Sequence, residues 1–328
     1  MIDKNRLSDI SSMDINTSKS AVPAVLLSAE AKAQKNGGSY LQLMVLDGFS
    51  KVDMKMFNSD MATLDAKCVV VGQVVDIDVR VQPFNNGKSF VADDIKPTTT
   101  GAVPTDFIVT APIDVEEAFE KITGYLDSVT NQNQDGKYTS ISDLARNLLM
   151  DNKEAFIHSS AAKAMHHDTV GGLVYHTYRM LQTATRLCSI YTSLDGVLLC
   201  SAVAIHDIAK IKEMDTSELG DVNYTVPGSL MGHLYMGAEM VHDYAMANPG
   251  KYDPEKVMLL QHMILSHHLM PEWGAVKGPS TAEAQMLHYI DQIDAKMYMY
   301  ENHFEDLKPG EITDKTPFGL ENKVYKPL

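Results

Sequence analysis

The sequence predicts a multidomain α and β chain, with a five-stranded β-barrel preceding an all-α helical bundle. Three observations carry this reading. Apolar residues alternate with period two, broken by turn signals, over residues 21–97. From about Asp114 the apolar period becomes helical and stays so almost to Phe304. All twelve histidines lie between His158 and His303, within the helical part. A length of 328 residues suits two domains, and 45% apolar with 22% charged residues is the composition of a globular chain.

The strands follow in order. Ala24-Val25-Leu26-Leu27 is a short apolar run, and Asn36-Gly37-Gly38 is a turn signal. Tyr40 to Leu46 nearly alternates, Asp47-Gly48 is a hairpin signal, and Lys51 to Phe57 alternates with Val52, Met54 and Met56 on one face. Cys68 to Val81 reads as one long strand with a bulge or sharp bend at Gly72. Asn85-Asn86-Gly87-Lys88 is a further turn, and Ser89 to Ile95 closes the set. Five short strands with a bend fit a small Greek-key barrel, the OB-fold.

Pro97 to Pro104 carries linker residues. Beyond it, Val115, Phe119, Ile122 and Leu126 share one helical face. The expected divisions are a flexible N-terminus over 1–20, the barrel over 21–100, a linker over 101–113, the bundle over 114–307 and a tail over 308–328.

Charge narrows the function. The net charge is −15, from 28 basic and 43 acidic side chains. Residues 1–110 hold 11 and 13 of these, so nearly all the excess acid lies in the helical part. Such a chain does not bind polyanions by bulk attraction, so a nucleic-acid substrate requires local compensation, and bound divalent cations supply it. No stretch approaches the ~18 apolar residues of a membrane helix, and residues 1–20 lack the apolar segment of a secretory signal. Cys68, Cys188 and Cys200 have no CxxC spacing and read as reduced thiols of a cytoplasmic protein. Met297-Tyr298-Met299-Tyr300, if exposed, permits a homo-oligomer.

Five helical segments deliver candidate ligands. His176 follows Gly171-Gly172 and shares a face with Met180 and Leu187. A helix expected over Leu194–Ile211 is apolar all round, hence buried, and delivers His206-Asp207. His233 lies in line with Met240 and Tyr244. A helix from Glu255 runs into His267-His268, and one over Thr281–Tyr300 places Asp291 and Asp294 a turn apart. A single histidine on an apolar face is more often a satisfied core residue than a ligand. A buried carboxylate beside buried imidazoles is costly unless paired or coordinated, and five such segments on one core point to metal ions. Imidazoles mixed with carboxylates suit Mn²⁺, Fe²⁺ or Co²⁺ better than Mg²⁺, which prefers oxygen alone.

The same residues carry a resemblance. The order His, His-Asp, Asp resembles the HD-domain phosphohydrolases. More closely, the chain resembles the YhaM-type 3′→5′ exoribonucleases, in which an N-terminal OB-fold precedes an HD domain. The matching stretches are Ala161-Ala162-Lys163 with His166-His167, Gly171-Gly172-Leu173 with His176-Thr177, and His206-Asp207-Ile208-Ala209-Lys210. Tyr224-Thr225, Gly228, Gly232-His233, Ile264 to His268, Glu272-Trp273-Gly274 and Leu287-His288 with Asp291 and Asp294 continue the match. Ala209 and Leu269 stand where the family usually has glycine, and Ala275-Val276-Lys277 replaces a Ser-Pro type segment.

The resemblance implies two divalent ions, Mn²⁺ first, with Fe²⁺, Co²⁺ or Mg²⁺ as alternatives. His176, His206, Asp207 and Asp291 would hold one; His233 with His267 and His268 would hold the other, bridged by Asp207. It assigns Asp207 and Lys210 to catalysis, with a solvated helix-end lysine as the plain alternative for Lys210. Lys163, His166 and His167 would contact substrate phosphate or be plain loop residues. In the barrel, Tyr40 and Phe57, with Phe49, Phe84 and Phe90, would either stack nucleobases or fill the interior, and Lys51, Lys55, Arg80 and Lys88 would meet the backbone. Trp273 is expected to pack a loop over the site. The implied activity is a metal-dependent 3′→5′ exoribonuclease on single-stranded RNA, with DNA as a further substrate. The alternatives are a phosphohydrolase of small nucleotides whose barrel serves assembly, and an OB-based binder without activity.

Overall fold

The computed structural model describes residues 10–34, 37–48, 50–84, 87–108, 110–132, 136–162, 167, 169–217, 220 and 222–328. Phe49, Lys163 and His166 lie outside the described residues. Two compact units meet at residues 109 and 110, inside the stretch expected as linker.

The first unit is a closed barrel. Its strands are β1 (Ser18–Ala33), β2 (Ser39–Leu46), β3 (Lys51–Phe57), β4 (Val74–Phe84) and β5 (Gly87–Pro97), with a short helix α1 (Met61–Ala66) between β3 and β4. The order around the barrel is β1-β2-β3-β5-β4. All pairs are antiparallel except β3 with β5, where Met54 faces Phe90 and closes the ring. This order and the parallel closure give the OB-fold expected from the strand pattern.

Period-two alternation sets the inside. Val52, Met54 and Met56 are buried while Lys51, Asp53 and Phe57 point outward. The buried interior holds aliphatic residues and methionine, including Leu41, Leu43, Ile77 and Ile95. Among the described residues aromatic rings do not fill the barrel: Phe57 and Phe84 are exposed, and Phe90 packs part-buried against the interior.

Three local expectations change. Residues expected to begin the long strand at Cys68 form a turn instead, and β4 starts at Val74. Gly72, at φ +89°, sits in that turn and donates to the Leu26 carbonyl at 2.7 Å. Register irregularities lie elsewhere, between Leu26 and Ser28 and between Lys19 and Val22 in β1, and between Asp78 and Val79 in the β4–β5 pairing. Residues 10–20 are not a loose terminus, because Ile10 and Met13 are buried in the barrel. The buried carboxylate of Asp47 in the β2–β3 turn holds them, accepting from the Ile10 and Ser11 amides at 2.8 and 3.2 Å.

The second unit is helical. Its helices are α2 (Val115–Gln132), α3 (Ile141–Asp151), α4 (Lys153–His158), α5 (Gly172–Ile190), α6 (Gly196–Ile205), α7 (Lys210–Glu213), α8 (Val226–Ala247), α9 (Pro254–Ser266) and α10 (Ala282–Asp306). A two-strand hairpin, β6 (Met214–Thr216) with β7 (Val222–Tyr224), joins α7 to α8. Phe119, Ile122 and Leu126 are buried as their spacing predicts. The helix α6 is buried on every side from Leu198 to Ile205, as its unbroken apolar sequence requires. Each Leu, Val or Ile among them contributes about 1.5–3 kcal/mol on removal from water.

The helix expected over Leu194–Ile211 is two helices, because α6 stops at Ile205 and His206 is its cap. The tail expected over 308–328 is tied down: Val324 is fully buried and Lys326 donates to the carbonyls of Phe304 and Leu307. The Met297–Tyr300 segment is not an exposed patch, since Tyr298 and Met299 are buried in their own unit. No helix among the described residues is long and apolar enough to cross a membrane.

Leu269, in the turn after α9, has φ +70°. A side chain with a Cβ pays about 1–2 kcal/mol in that left-handed region. Leu269→Gly is expected to raise the melting midpoint of the helical unit. Fluorescence of Trp273, the chain's single tryptophan, reads that unit, and an unchanged or lower midpoint would show that Leu269's packing outweighs the backbone strain.

Candidate metal centre

Helix ends build the site. His206 and Asp207 lie in the tight turn just after α6, and His267 and His268 follow directly on α9. At both ends the helix stops and its last turn presents imidazoles inward. His176 sits one turn into α5, and Asp291 and Asp294 lie a turn apart on α10. His233 follows a break in α8, where Gly232 takes φ +73° and ψ 156°. A positive φ of this kind suits glycine alone, and it redirects the chain so that His233 faces the same centre.

Asp207 is that centre. Its carboxylate divides the imidazoles between its two oxygens. Oδ2 lies 3.3 Å from Nε2 of His206 and 3.9 Å from Nε2 of His176. Oδ1 lies 3.3 Å from Nε2 of His233 and 3.7 Å from Nε2 of His267. Asp291 joins the first side, 3.3 Å from Nε2 of His176. His268 joins the second, since His233, His267 and His268 can bring ligand atoms within 4.8 Å of one another. The group His176, His206 and Asp291 meets the same distance.

Four of the opposite ring nitrogens are hydrogen-bonded, and the fifth, Nδ1 of His233, lies beside a carboxylate without a well-formed bond among the described residues. Nδ1 of His206 and Nδ1 of His267 bond to carbonyls of their own helices, Val203 at 2.9 Å and Ile264 at 2.8 Å. Nδ1 of His268 bonds to the Trp273 carbonyl at 2.7 Å, and Nδ1 of His176 to Asp294 at 2.7 Å. Nδ1 of His233 lies 2.9 Å from Oε2 of Glu213. A carbonyl or carboxylate acceptor places the proton on Nδ1 and leaves the Nε2 lone pair free. The Nε2 atoms of His176, His206, His233 and His267 thus converge on one carboxylate. Nε2 of His206, Nε2 of His233 and Oδ1 of Asp207 are buried without a well-formed hydrogen bond among the described residues. Buried polar atoms in that state are costly, and divalent cations between them remove the cost. Imidazole and carboxylate donors together fit Mn²⁺, Fe²⁺ or Co²⁺.

Electrostatics agree. Burial favours the neutral form of Asp207, but Lys210 and His206 outweigh it and hold its pKa well below the usual carboxylate range. Burial drives His267 well below the usual imidazole value, with His268 adding to the effect, so it stays neutral and able to ligate. Lys210 is not a solvated helix-end lysine. It is buried, and its Nζ lies 2.8 Å from Oδ2 of Asp207.

Other expected residues fall elsewhere. His167 is fully buried, its ring centroid 3.8 Å from that of Tyr298 and its Nε2 2.7 Å from Asp294. Burial lowers its pKa to about 4. It stands behind His176 and does not reach the surface, so the expected phosphate contact does not fit its place. His262, whose membership the sequence leaves open, accepts from the Ser280 amide and joins none of the ligand groups among the described residues. Trp273 does not pack down over the site: its side chain is 58% exposed, and only its carbonyl holds His268.

Sequence spacing alone did not find Glu213 or Arg179. Arg179 lies one turn after His176 and pairs with Asp294 at 2.6 Å, a contact its i+3 spacing hints at. Glu213 offers no sequence signal, because the β6–β7 hairpin and the break at Gly232 bring it to His233.

On the barrel, Tyr40 and Phe57 have ring centroids 6.1 Å apart. Lys55 lies over Tyr40 and Phe84, 5.7 and 5.4 Å from the ring centres, and Lys88 lies over Phe90. A groove of about 440 Å³ is lined by Lys51, Lys55, Lys88, Phe84 and Phe90. Arg80 is instead held by Asp93 at 2.8 Å.

Comparisons with known proteins agree with this geometry. Residues 173–296 match the HD domain family. The chain is 32% identical to the 3′-5′ exoribonuclease YhaM of Halalkalibacterium halodurans, over 92% of this chain and 91% of that one. It is 35% identical to the proteins of the same name from Bacillus licheniformis and Bacillus subtilis, over 89% of this chain and 90% of each of theirs.

Mn²⁺ is expected to raise the melting temperature of the metal-stripped protein. A hundredfold excess over Kd adds about 2.7 kcal/mol to stability. Asp207→Ala is expected to abolish that shift. Scanning calorimetry with and without Mn²⁺ measures it, and an equal shift in the variant would remove Asp207 from the site.

Proposed function

This chain belongs to the YhaM family of HD-domain proteins, and we propose that it is a metal-dependent 3′→5′ exoribonuclease acting on single-stranded RNA, with single-stranded DNA as a further substrate. The observation that carries the reading is the Asp207 carboxylate, whose two oxygens each face a separate set of Nε2 lone pairs. A bridging carboxylate between two donor sets suits a pair of divalent cations, Mn²⁺ first. His176, His206 and Asp291 would hold one, His233, His267 and His268 the other, and Asp207 both. Bound there, such cations lower the pKa of an attacking water and neutralise charge on the phosphoryl group.

The chain's own residues do the rest. The tied Nδ1 atoms keep the imidazoles aimed. The buried ammonium of Lys210, beside Oδ2 of Asp207, meets a non-bridging phosphate oxygen and stabilises the charge that builds on it. Hydrolysis breaks the bond between phosphorus and the 3′ oxygen of the penultimate nucleotide. Water supplies the hydroxyl on the released 5′-mononucleotide and the proton on the new 3′ end. On the barrel, Tyr40, Phe57 and Phe84 stack successive bases and Lys51 and Lys55 meet the phosphates, while Lys88 donates to the Ser11 and Met13 carbonyls. A cytoplasmic location accords with three free cysteines. The small-nucleotide alternative gains nothing from relatives that match both the barrel and the bundle.

On a 5′-labelled single-stranded RNA with Mn²⁺, the protein is expected to yield a ladder that shortens by single nucleotides. Loss of one stacked base contact is worth about 1–3 kcal/mol, so Phe84→Ala should raise KM about tenfold with kcat unchanged. Internal cuts, or no cleavage under any divalent metal, would overturn the assignment. An unchanged KM would remove the barrel face from substrate binding.

A further inference from the structure

Glu213 spends both oxygens of its carboxylate on one residue. Oε1 accepts from the His233 backbone N–H at 3.0 Å, and Oε2 lies 2.9 Å from His233 Nδ1. The side chain is nearly buried. The backbone is built to hold it there. Thr225 donates its N–H to the Glu213 carbonyl at 2.9 Å and caps α8 through Gly228. Gly228 passes so close that a Cβ on it would lie 2.1 Å from that carbonyl oxygen. The break at Gly232 makes His233 the first residue of a renewed helix, whose N–H has no carbonyl a turn earlier. A carboxylate at that position satisfies the open donor and sits at the positive end of the helix.

The contrast with the other imidazoles gives this contact its meaning. His206, His267 and His268 rest on neutral carbonyls. His176 rests on Asp294, whose charge is shared with Arg179 at 2.6 Å and with His167. Glu213 makes no ion pair with Arg or Lys among the contacts described for it. Its charge acts on the His233 ring 2.9 Å away, with Lys210 also in its field, and favours the proton on Nδ1 and electron density at Nε2.

We propose that Glu213 is the positioning residue for the His233 side of the centre, setting how tightly the group His233, His267 and His268 holds its cation while the group His176, His206 and Asp291 is left unaffected. This rests on the two-cation reading above.

The test is a Mn²⁺ titration of the metal-stripped protein by calorimetry, wild type against Glu213→Gln, with far-UV circular dichroism as the check on folding. Gln keeps an acceptor for the His233 N–H and loses the charge. One class of Mn²⁺ sites is expected to weaken about 10–100-fold while the other keeps its affinity. Saturating Mn²⁺ is expected to restore RNA cleavage, which a merely structural lesion would not allow. Glu213→Asp, which keeps the charge on a shorter arm, should fall between the two and serves if Gln does not fold. Identical isotherms for wild type and variant overturn the inference and leave the exonuclease reading standing, as does equal weakening of both classes. A wild-type protein that takes up no Mn²⁺ removes the reading beneath it.

Discussion

One carboxylate, buried among imidazoles, is the constraint around which the helical unit is arranged. Withdrawing an ionised group such as Asp207 from water costs several kcal/mol, and each additional buried polar ring adds to that. Lys210 offsets part of it through a single ammonium 2.8 Å away. The remaining convergence of Nε2 atoms on Oδ1 has no cationic side chain paired with that oxygen among the contacts of the described residues. A bundle kept only as a scaffold would have replaced these groups with aliphatic residues at a gain in stability. Their presence is intelligible as a site held ready for cations.

The secondary structure serves that requirement at its ends. An imidazole in mid-helix must turn its ring across the helix surface. One at a C-terminus can tie Nδ1 to the carbonyl three residues back, which the helix leaves without a partner. His206 and His267 use this same arrangement, on Val203 and Ile264. The rigid, wholly apolar α6 then fixes where His206 and Asp207 lie, because no polar side of that helix competes for burial. Thus the least polar helix of the chain carries its most costly polar pair.

Much of this was legible in the sequence, and the limits have physical causes. Alternation in Lys51–Phe57 marked β3 because one face of a barrel strand must be apolar. The run from Val197 to Ile205 marked a buried helix for the same reason. The five ligand segments stood out because histidine is otherwise absent from the first 157 residues. What stayed hidden depends on backbone direction. Gly72 announces a bend but not which strand bends, and the register irregularities fall in β1 and in the β4–β5 pairing. His167 read as a loop residue because pattern does not show depth, whereas it lies behind His176. Glu213 was invisible because a glutamate before a short hairpin looks like any surface acid until the hairpin folds.

The opposition between net charge and substrate resolves at the level of each unit. A chain at −15 repels a polyanion at long range, so attraction has to come from short-range groups. On the barrel, whose charge is nearly balanced, lysines lie over aromatic rings and bring cation and stacking surface to the same place. A single strand exposes base faces that this combination grips, while a duplex hides them. In the helical unit the acid excess is what makes a cation centre favourable, since the carboxylates that repel phosphate are the same groups that retain divalent ions. The proposed preference for single strands and the proposed dependence on metal are then two consequences of one charge distribution.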